Sequence, residues 1–147
     1  MDDKPFLPCL NELVRCYQAF EAYSTAHIRT LDLTAPQFDI IATLGNTPGM
    51  TPKQLGEQTL ITKGTLTGII DRLEAKDLVR RTAHSSDGRS QIVQLTEAGD
   101  ALFGRIFPEH MAHLRKAFAS FSGEDYESIE AALARLRKAF VSAGPSG

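Results

Sequence analysis

After Asp77 the apolar pattern of this chain stops repeating every three or four residues and begins to alternate. Just upstream, Leu66, Ile69, Ile70 and Leu73 stand at i, i+3, i+4 and i+7, the spacing of one helix face. Downstream, residues 78–83 and 91–95 read as two short strands. Between them lies His84-Ser85-Ser86-Asp87-Gly88-Arg89, a polar stretch with Asp-Gly inside it. Two β-runs around such a turn make a hairpin. The fold class that follows is mainly α with one small β-hairpin, an α+β arrangement.

The rest of the chain reads as helices. Residues 8–31 carry Leu10, Leu13, Val14, Tyr17, Phe20, Ile28 and Leu31 at helical spacing, which predicts a long first helix. Thr34-Ala35-Pro36-Gln37 and Thr51-Pro52-Lys53-Gln54 are repeated start signals, each with a Thr cap, Pro in the first turn and Gln three residues on. Phe38, Ile40, Ile41 and Leu44 form the inner face of the second helix, and Leu55 that of the short third. Thr62 is expected to cap the fourth. Thr96-Glu97-Ala98-Gly99 opens a long helix with a stripe through Leu102, Phe103, Ile106, Met111, Leu114 and Phe118, which Pro108 should kink. Ser122-Gly123-Glu124-Asp125 opens the last helix, whose Tyr126, Ile129, Leu133, Leu136 and Phe140 are expected to face inward.

With 147 residues, 42% of them hydrophobic, the length suits a single domain spanning 1–147. No apolar run reaches the roughly 18 residues of a membrane span. The start of the chain has neither a basic stretch nor an apolar core of a signal peptide, so a cytoplasmic protein is expected, with Cys9 and Cys16 reduced. Net charge is -2, but it is unevenly spread. Residues 1–52 hold 3 basic and 6 acidic side chains, residues 53–95 hold 7 and 5, and residues 96–147 hold 6 and 7. Only the middle segment is positive, as contact with phosphate requires.

Two short helices joined by a tight turn, the second with a small polar outer face, describe a helix-turn-helix. Residues 34–95 are then a winged helix-turn-helix, with the hairpin as its wing. The fourth helix fits a major groove about 12 Å wide. Thr62, Lys63, Gly64, Thr65, Thr67, Gly68 and Arg72 would meet bases or phosphates there, with Thr51 at the start of the preceding helix. Gly64 and Gly68 would let the backbone approach DNA, or would merely allow helix packing. Arg89 at the wing tip, flanked by Ser86 and Asp87, is placed for a minor groove. Asp87 would hold an arginine in place. Arg80 and Arg81 could touch phosphates or pair with Asp77 or Asp87.

Leu33-Thr34-Ala35-Pro36-Gln37-Phe38, Thr62-Lys63-Gly64-Thr65-Leu66-Thr67, Asp71-Arg72-Leu73-Glu74-Ala75-Lys76, Asp87-Gly88-Arg89-Ser90 and Leu95-Thr96-Glu97-Ala98-Gly99, in this order, resemble the MarR family of bacterial transcriptional regulators. The likeness covers roughly residues 10–140. It implies a homodimer on a pseudo-palindromic operator in double-stranded DNA, often a repressor, released by a small ligand or an oxidant. Helices at 8–31 and 100–141 would form the dimerisation region. A two-fold dimer would set its recognition helices about 34 Å apart, one DNA turn. Asp77 departs from the family pattern, which usually has Gly there; Asp can substitute past a helix end.

The same resemblance implies a ligand pocket among the first, second and post-wing helices, with Arg15, Tyr23, His27, Phe38, His110 and His113 as candidate liners. A small aromatic or phenolic effector is expected, with Arg15 able to pair with an aromatic carboxylate. Relatives that sense organic hydroperoxides carry a reactive cysteine near the start of the first helix. Cys9 makes a thiol-based oxidant sensor the alternative, and a helix N-terminus favours a thiolate. A winged helix used only for protein interaction is a second alternative, but its recognition face would be apolar. His110 and His113, at i, i+3, could join Cys9 or His27 around zinc; that spacing is too common to be specific, and no metal or cofactor is expected. The chain has no GxGxxG, P-loop, HExxH, GxSxG or CxxC, so it is not expected to be an enzyme.

Overall fold

The computed structural model describes residues 3–59, 61–83 and 91–145. Among them run α1 (Leu7–Thr30), α2 (Ala35–Leu44), α3 (Pro52–Thr59), α4 (Lys63–Ala75), β1 (Val79–Ala83), β2 (Gln91–Leu95), α5 (Glu97–Ala117) and α6 (Gly123–Ala143). This is the expected winged helix-turn-helix with helices before and after it. The chain divides into two bodies, Met1–His113 and Leu114–Gly147. Among the described residues no helix is long and apolar enough to cross a membrane.

Three helices begin on reciprocal caps. The Gln37 backbone N–H donates to Thr34 Oγ1 at 3.3 Å while Thr34 N–H donates to Gln37 Oε1 at 3.1 Å. Thr51 with Gln54, and Ser122 with Asp125, repeat the exchange. Each exchange satisfies two backbone donors that the helix leaves unpaired. Thr96 Oγ1 caps α5 by accepting from Gly99 N–H at 3.0 Å and itself donates to the Asp77 carbonyl at 2.6 Å. Thr62 departs from expectation. It holds the cap position of α4, but its hydroxyl donates to the Thr65 hydroxyl and caps no backbone group.

The core lies in the first body. Phe38, Ile40, Ile41 and Leu44 of α2 and Leu55 of α3 are buried with Leu66, Ile69, Ile70 and Leu73 of α4, the faces that helical spacing predicts. Val79 of β1 and Val93 of β2 enter the same cluster. The strands pair antiparallel from Val79 opposite Leu95 to Ala83 opposite Gln91. Met50, just before α3, adds a bridge that sequence reasoning missed, exchanging hydrogen bonds with Val93 at 2.9 and 2.7 Å.

Two backbone constraints join α4 to the hairpin. At its end, Leu78 N–H donates to the Leu73 carbonyl and Asp77 N–H to that of Glu74, a Schellman closure. This places Asp77 at φ 59°, the left-handed conformation that suits Gly and that Asp tolerates. Gly99 packs so tightly on the Leu78 carbonyl that a Cβ there would collide with it. The glycine of the Leu95-Thr96-x-x-Gly99 motif is thus required by close approach of α5 to the start of β1.

The first helix leaves most of its apolar stripe open, and the last corrects the expected packing. Leu10, Val14, Tyr17 and Phe20 of α1 are exposed, and Ile28 near its end is buried. In α6, Tyr126, Ile129, Leu133 and Phe140 are exposed rather than inward, Leu136 is half-buried, and no residue is fully buried. Helical period identifies an apolar face without saying what covers it. In α5 the buried positions are Gly99, Phe103, Ile106 and His110; Met111 and Leu114 are half-buried, and Phe118, just past the end of the helix, is exposed. The helix runs on through Pro108.

α5 meets α1 through polar aromatic rings. His110 is buried and tilts against Phe38, with centroids 4.6 Å apart. Its Nδ1 lies 2.8 Å from His27 Nδ1 and its Nε2 lies 3.0 Å from Ser24 Oγ. A hydrogen bond between two Nδ1 atoms needs one protonated and one bare nitrogen. Burial first, then the nearby His27 and His113, pushes the His110 pKa down.

Gly99→Ala is expected to lower stability by about 1–3 kcal/mol, since the Leu78 backbone must give way; denaturant unfolding measures this. The folded chain also takes up a proton at His110 less readily than the unfolded chain, whose histidines titrate near about 6.5. The stability from the neutral His110 is therefore full above that value and is lost as pH falls through it. The melting temperature should drop between about pH 7 and pH 5.5, and His110→Gln should flatten the drop. Equal slopes in both proteins would refute the assignment.

Candidate nucleic-acid interface and histidine cluster

Once Leu66, Ile69, Ile70 and Leu73 are buried, the helical period fixes what α4 shows to solvent. Lys63, Gly64, Thr65, Thr67 and Arg72 are exposed, as is Thr62 at the helix start, and Gly68 is half-buried. Among the described residues, a Cβ added at Gly64 or Gly68 would meet nothing within 4 Å. Packing among the described residues gives no reason for either glycine. Since Gly costs about 1 kcal/mol relative to Ala inside a helix, this face gives up helix stability for a smooth surface. Thr51 is half-buried, and its hydroxyl accepts from Gln54 N–H.

The strand arginines are held by neighbours. Arg81 pairs with Asp71 at 2.6 Å and Glu74 at 2.7 Å, both on α4, rather than with Asp77. Arg80 is exposed, and Gln94, with its amide oxygen turned toward it, accepts from Arg80 Nε and an Nη at 2.6 and 2.8 Å. Ser86, Asp87 and Arg89 lie outside the described residues.

Five of the six candidate pocket residues come together. Tyr23 stacks on His113 at 4.2 Å, His113 on His27 at 4.4 Å, and His27 on His110 at 5.0 Å, with Phe38 against His110. The Tyr23 hydroxyl donates to the His113 carbonyl at 2.7 Å. His113 Nε2 is buried with no hydrogen-bond partner among the described residues. Arg15 is exposed two turns before Tyr23 on α1. Ser24 was missed by sequence reasoning; a small polar residue three before His27 on the same stripe was its signal. Stacked rings present faces, not converging lone pairs, and among the described residues no three His, Cys, Asp or Glu side chains are grouped to hold a metal ion. Cys9, in the first turn of α1, and Cys16 are exposed and unbridged.

Known proteins share this architecture. The sequence profile of the MarR family matches residues 31–90. The transcriptional regulator MhqR of Bacillus subtilis is 30% identical over 84% of this chain and 86% of its own length. The regulator PecS of Dickeya dadantii is 38% identical over 74% and 68%. Among solved structures, AbsC of Streptomyces coelicolor, a MarR family regulator, superposes with a TM-score of 0.82 over 94% of this chain and 95% of its own, at 24% identity. BpsR of Bordetella bronchiseptica, whose DNA binding is regulated by 6-hydroxynicotinic acid, gives 0.77 over 88% and 98% at 25% identity. Sequence likeness that runs nearly the length of MhqR, together with the helix-turn-helix, wing and flanking helices, makes this chain a member of the MarR family of transcriptional regulators.

Proposed function

We propose that this chain is a sequence-specific binder of double-stranded DNA that acts as a homodimeric repressor in the cytoplasm and is released by a small aromatic or phenolic ligand. The observation that carries this reading is the open Lys-Gly-Thr-x-Thr-Gly surface of α4. In the major groove its two glycines admit the phosphate backbone or base edges closely, while Lys63, the threonines and Arg72 supply donors. Arg89 of the wing enters the flanking minor groove, with Ser86 and Asp87 beside it.

The dimer accounts for the open apolar faces. Val14 is 48% exposed and Leu133 50% exposed, each within a stripe on its helix. A second copy covers such stripes, and pairing two recognition helices doubles the phosphates neutralised. The ligand reading rests on the Tyr23–His113–His27–His110 stack and on BpsR, whose regulator is a hydroxylated aromatic acid. A flat ring can replace one member of such a stack.

Replacing both Gly64 and Gly68 by Ala should stabilise the fold by about 1–2 kcal/mol through helix propensity yet weaken operator binding about tenfold or more. Thermal melts and gel-shifts at fixed salt read the two effects separately; unchanged affinity sinks the groove assignment. Leu133→Asp should yield a monomer by sedimentation and lose operator binding. A dimer that survives this change, or a monomer that binds as well, contradicts the proposed assembly.

A further inference from the structure

The recognition helix carries two carboxylates, Asp71 and Glu74, about one turn apart. On a helix that enters a DNA groove, both face a field of phosphate charge that repels them. One residue of the wing strand takes both. Arg81 Nη2 lies 2.6 Å from Asp71 Oδ1, Nη1 lies 2.7 Å from Glu74 Oε1, and Arg81 N–H donates to Glu74 Oε2 at 3.3 Å. The Arg81 side chain is only 19% exposed, while Asp71 is 61% exposed. Across the hairpin Arg81 faces Val93, the buried residue that also bridges Met50. The strand is therefore tied both to the core and to the carboxylates of α4.

We propose that Arg81 is a positioning residue for DNA recognition and not a phosphate contact: it clamps β1 to α4, sets the angle between wing and recognition helix, and neutralises the two carboxylates that α4 brings toward DNA. The proposal rests on the DNA-binding reading above. The guanidinium suits this task because its planar fork engages two carboxylates at once, which a lysine ammonium, a point charge on a flexible stem, cannot reproduce.

The clamp and its rivals predict opposite results. Asp71→Asn with Glu74→Gln removes two negative charges from the recognition helix at nearly constant size. If the carboxylates only repel DNA, or if freed Arg81 reaches a phosphate, the double variant binds tighter. If they hold the wing, it binds its operator about tenfold more weakly, discriminates less against random DNA, and loses hydroxyl-radical protection at the operator flanks while keeping it over the central major grooves. Arg81→Ala should show the same lost flank protection with an unchanged slope of log affinity against log salt. Loss of a phosphate contact would instead flatten that slope by about 0.9 per contact. Arg81→Lys should not restore the flanks. Tighter or unchanged binding of the double variant, or a flattened slope for Arg81→Ala, overturns the clamp. Should Arg81→Ala fail to fold, the double variant at two exposed sites decides alone. A native chain that selects no operator from genomic DNA overturns the DNA-binding reading and the clamp with it; a native chain that binds while the double variant binds tighter overturns only the clamp.

Discussion

Burial of one face of α4 is the constraint on which the rest of the molecule hangs. Leu66, Ile69, Ile70 and Leu73 enter a core shared with α2 and both strands, and each such side chain contributes about 1.5–3 kcal/mol by leaving water. A helix so anchored cannot rotate about its axis without exposing that stripe. Its outward residues are consequently set by arithmetic: what is not at i, i+3, i+4, i+7 of the buried face is offered to solvent. The strands hang from the same core through Val79 and Val93, and the Asp77 turn closes the connection. Recognition helix and wing share one support, so a side chain linking them acts on a small remaining freedom rather than holding up the fold.

The chain uses its glycines in two opposite ways, and the surroundings tell them apart. At Gly99 the neighbouring carbonyl leaves no space for a methyl group, so glycine is required from within. At Gly64 and Gly68 a Cβ would meet no described residue within 4 Å, so packing among the described residues requires neither glycine. Sequence alone left both readings open for the latter pair. Lys63 and Thr67 could likewise have been buried had the register of α4 differed by two residues, and they are exposed.

What was legible in the sequence was local. Caps at Thr34, Thr51 and Ser122, the buried stripe of α4 and the strand at Gln91–Leu95 each depend on residues within a few positions of one another. Asp77 was legible too, because a helix end needs a left-handed residue and Asp tolerates one. The illegible parts depend on distant neighbours. Met50 pairs with Val93 through a single bridge, which has no period to detect. His110 occupies a core position because Ser24 and His27, more than eighty residues earlier, satisfy its nitrogens. Thr62 was expected to cap a backbone donor, but its hydroxyl donates to the Thr65 hydroxyl one turn on and accepts from no helix N–H. Arg81 was readable as a cation near DNA; only the fold brings Asp71 and Glu74 within its reach.

In the proposed dimer α1 has two tasks. Its first half carries the open Leu10, Val14, Tyr17 and Phe20, and its second half carries Tyr23, Ser24 and His27 into the ring stack with α5. In that proposal a rigid helix would couple the two halves, so that a tilt imposed at the stack by an inserted ring would move the interface half. Recognition helices must stay about 34 Å apart to occupy successive major grooves, and misplacing one forfeits the gain from tethering the second. A ligand need then neither touch α4 nor unfold anything to release DNA. It has only to bind better to the stack in a spacing that the operator does not accept, since differential affinity for two states is what shifts an equilibrium.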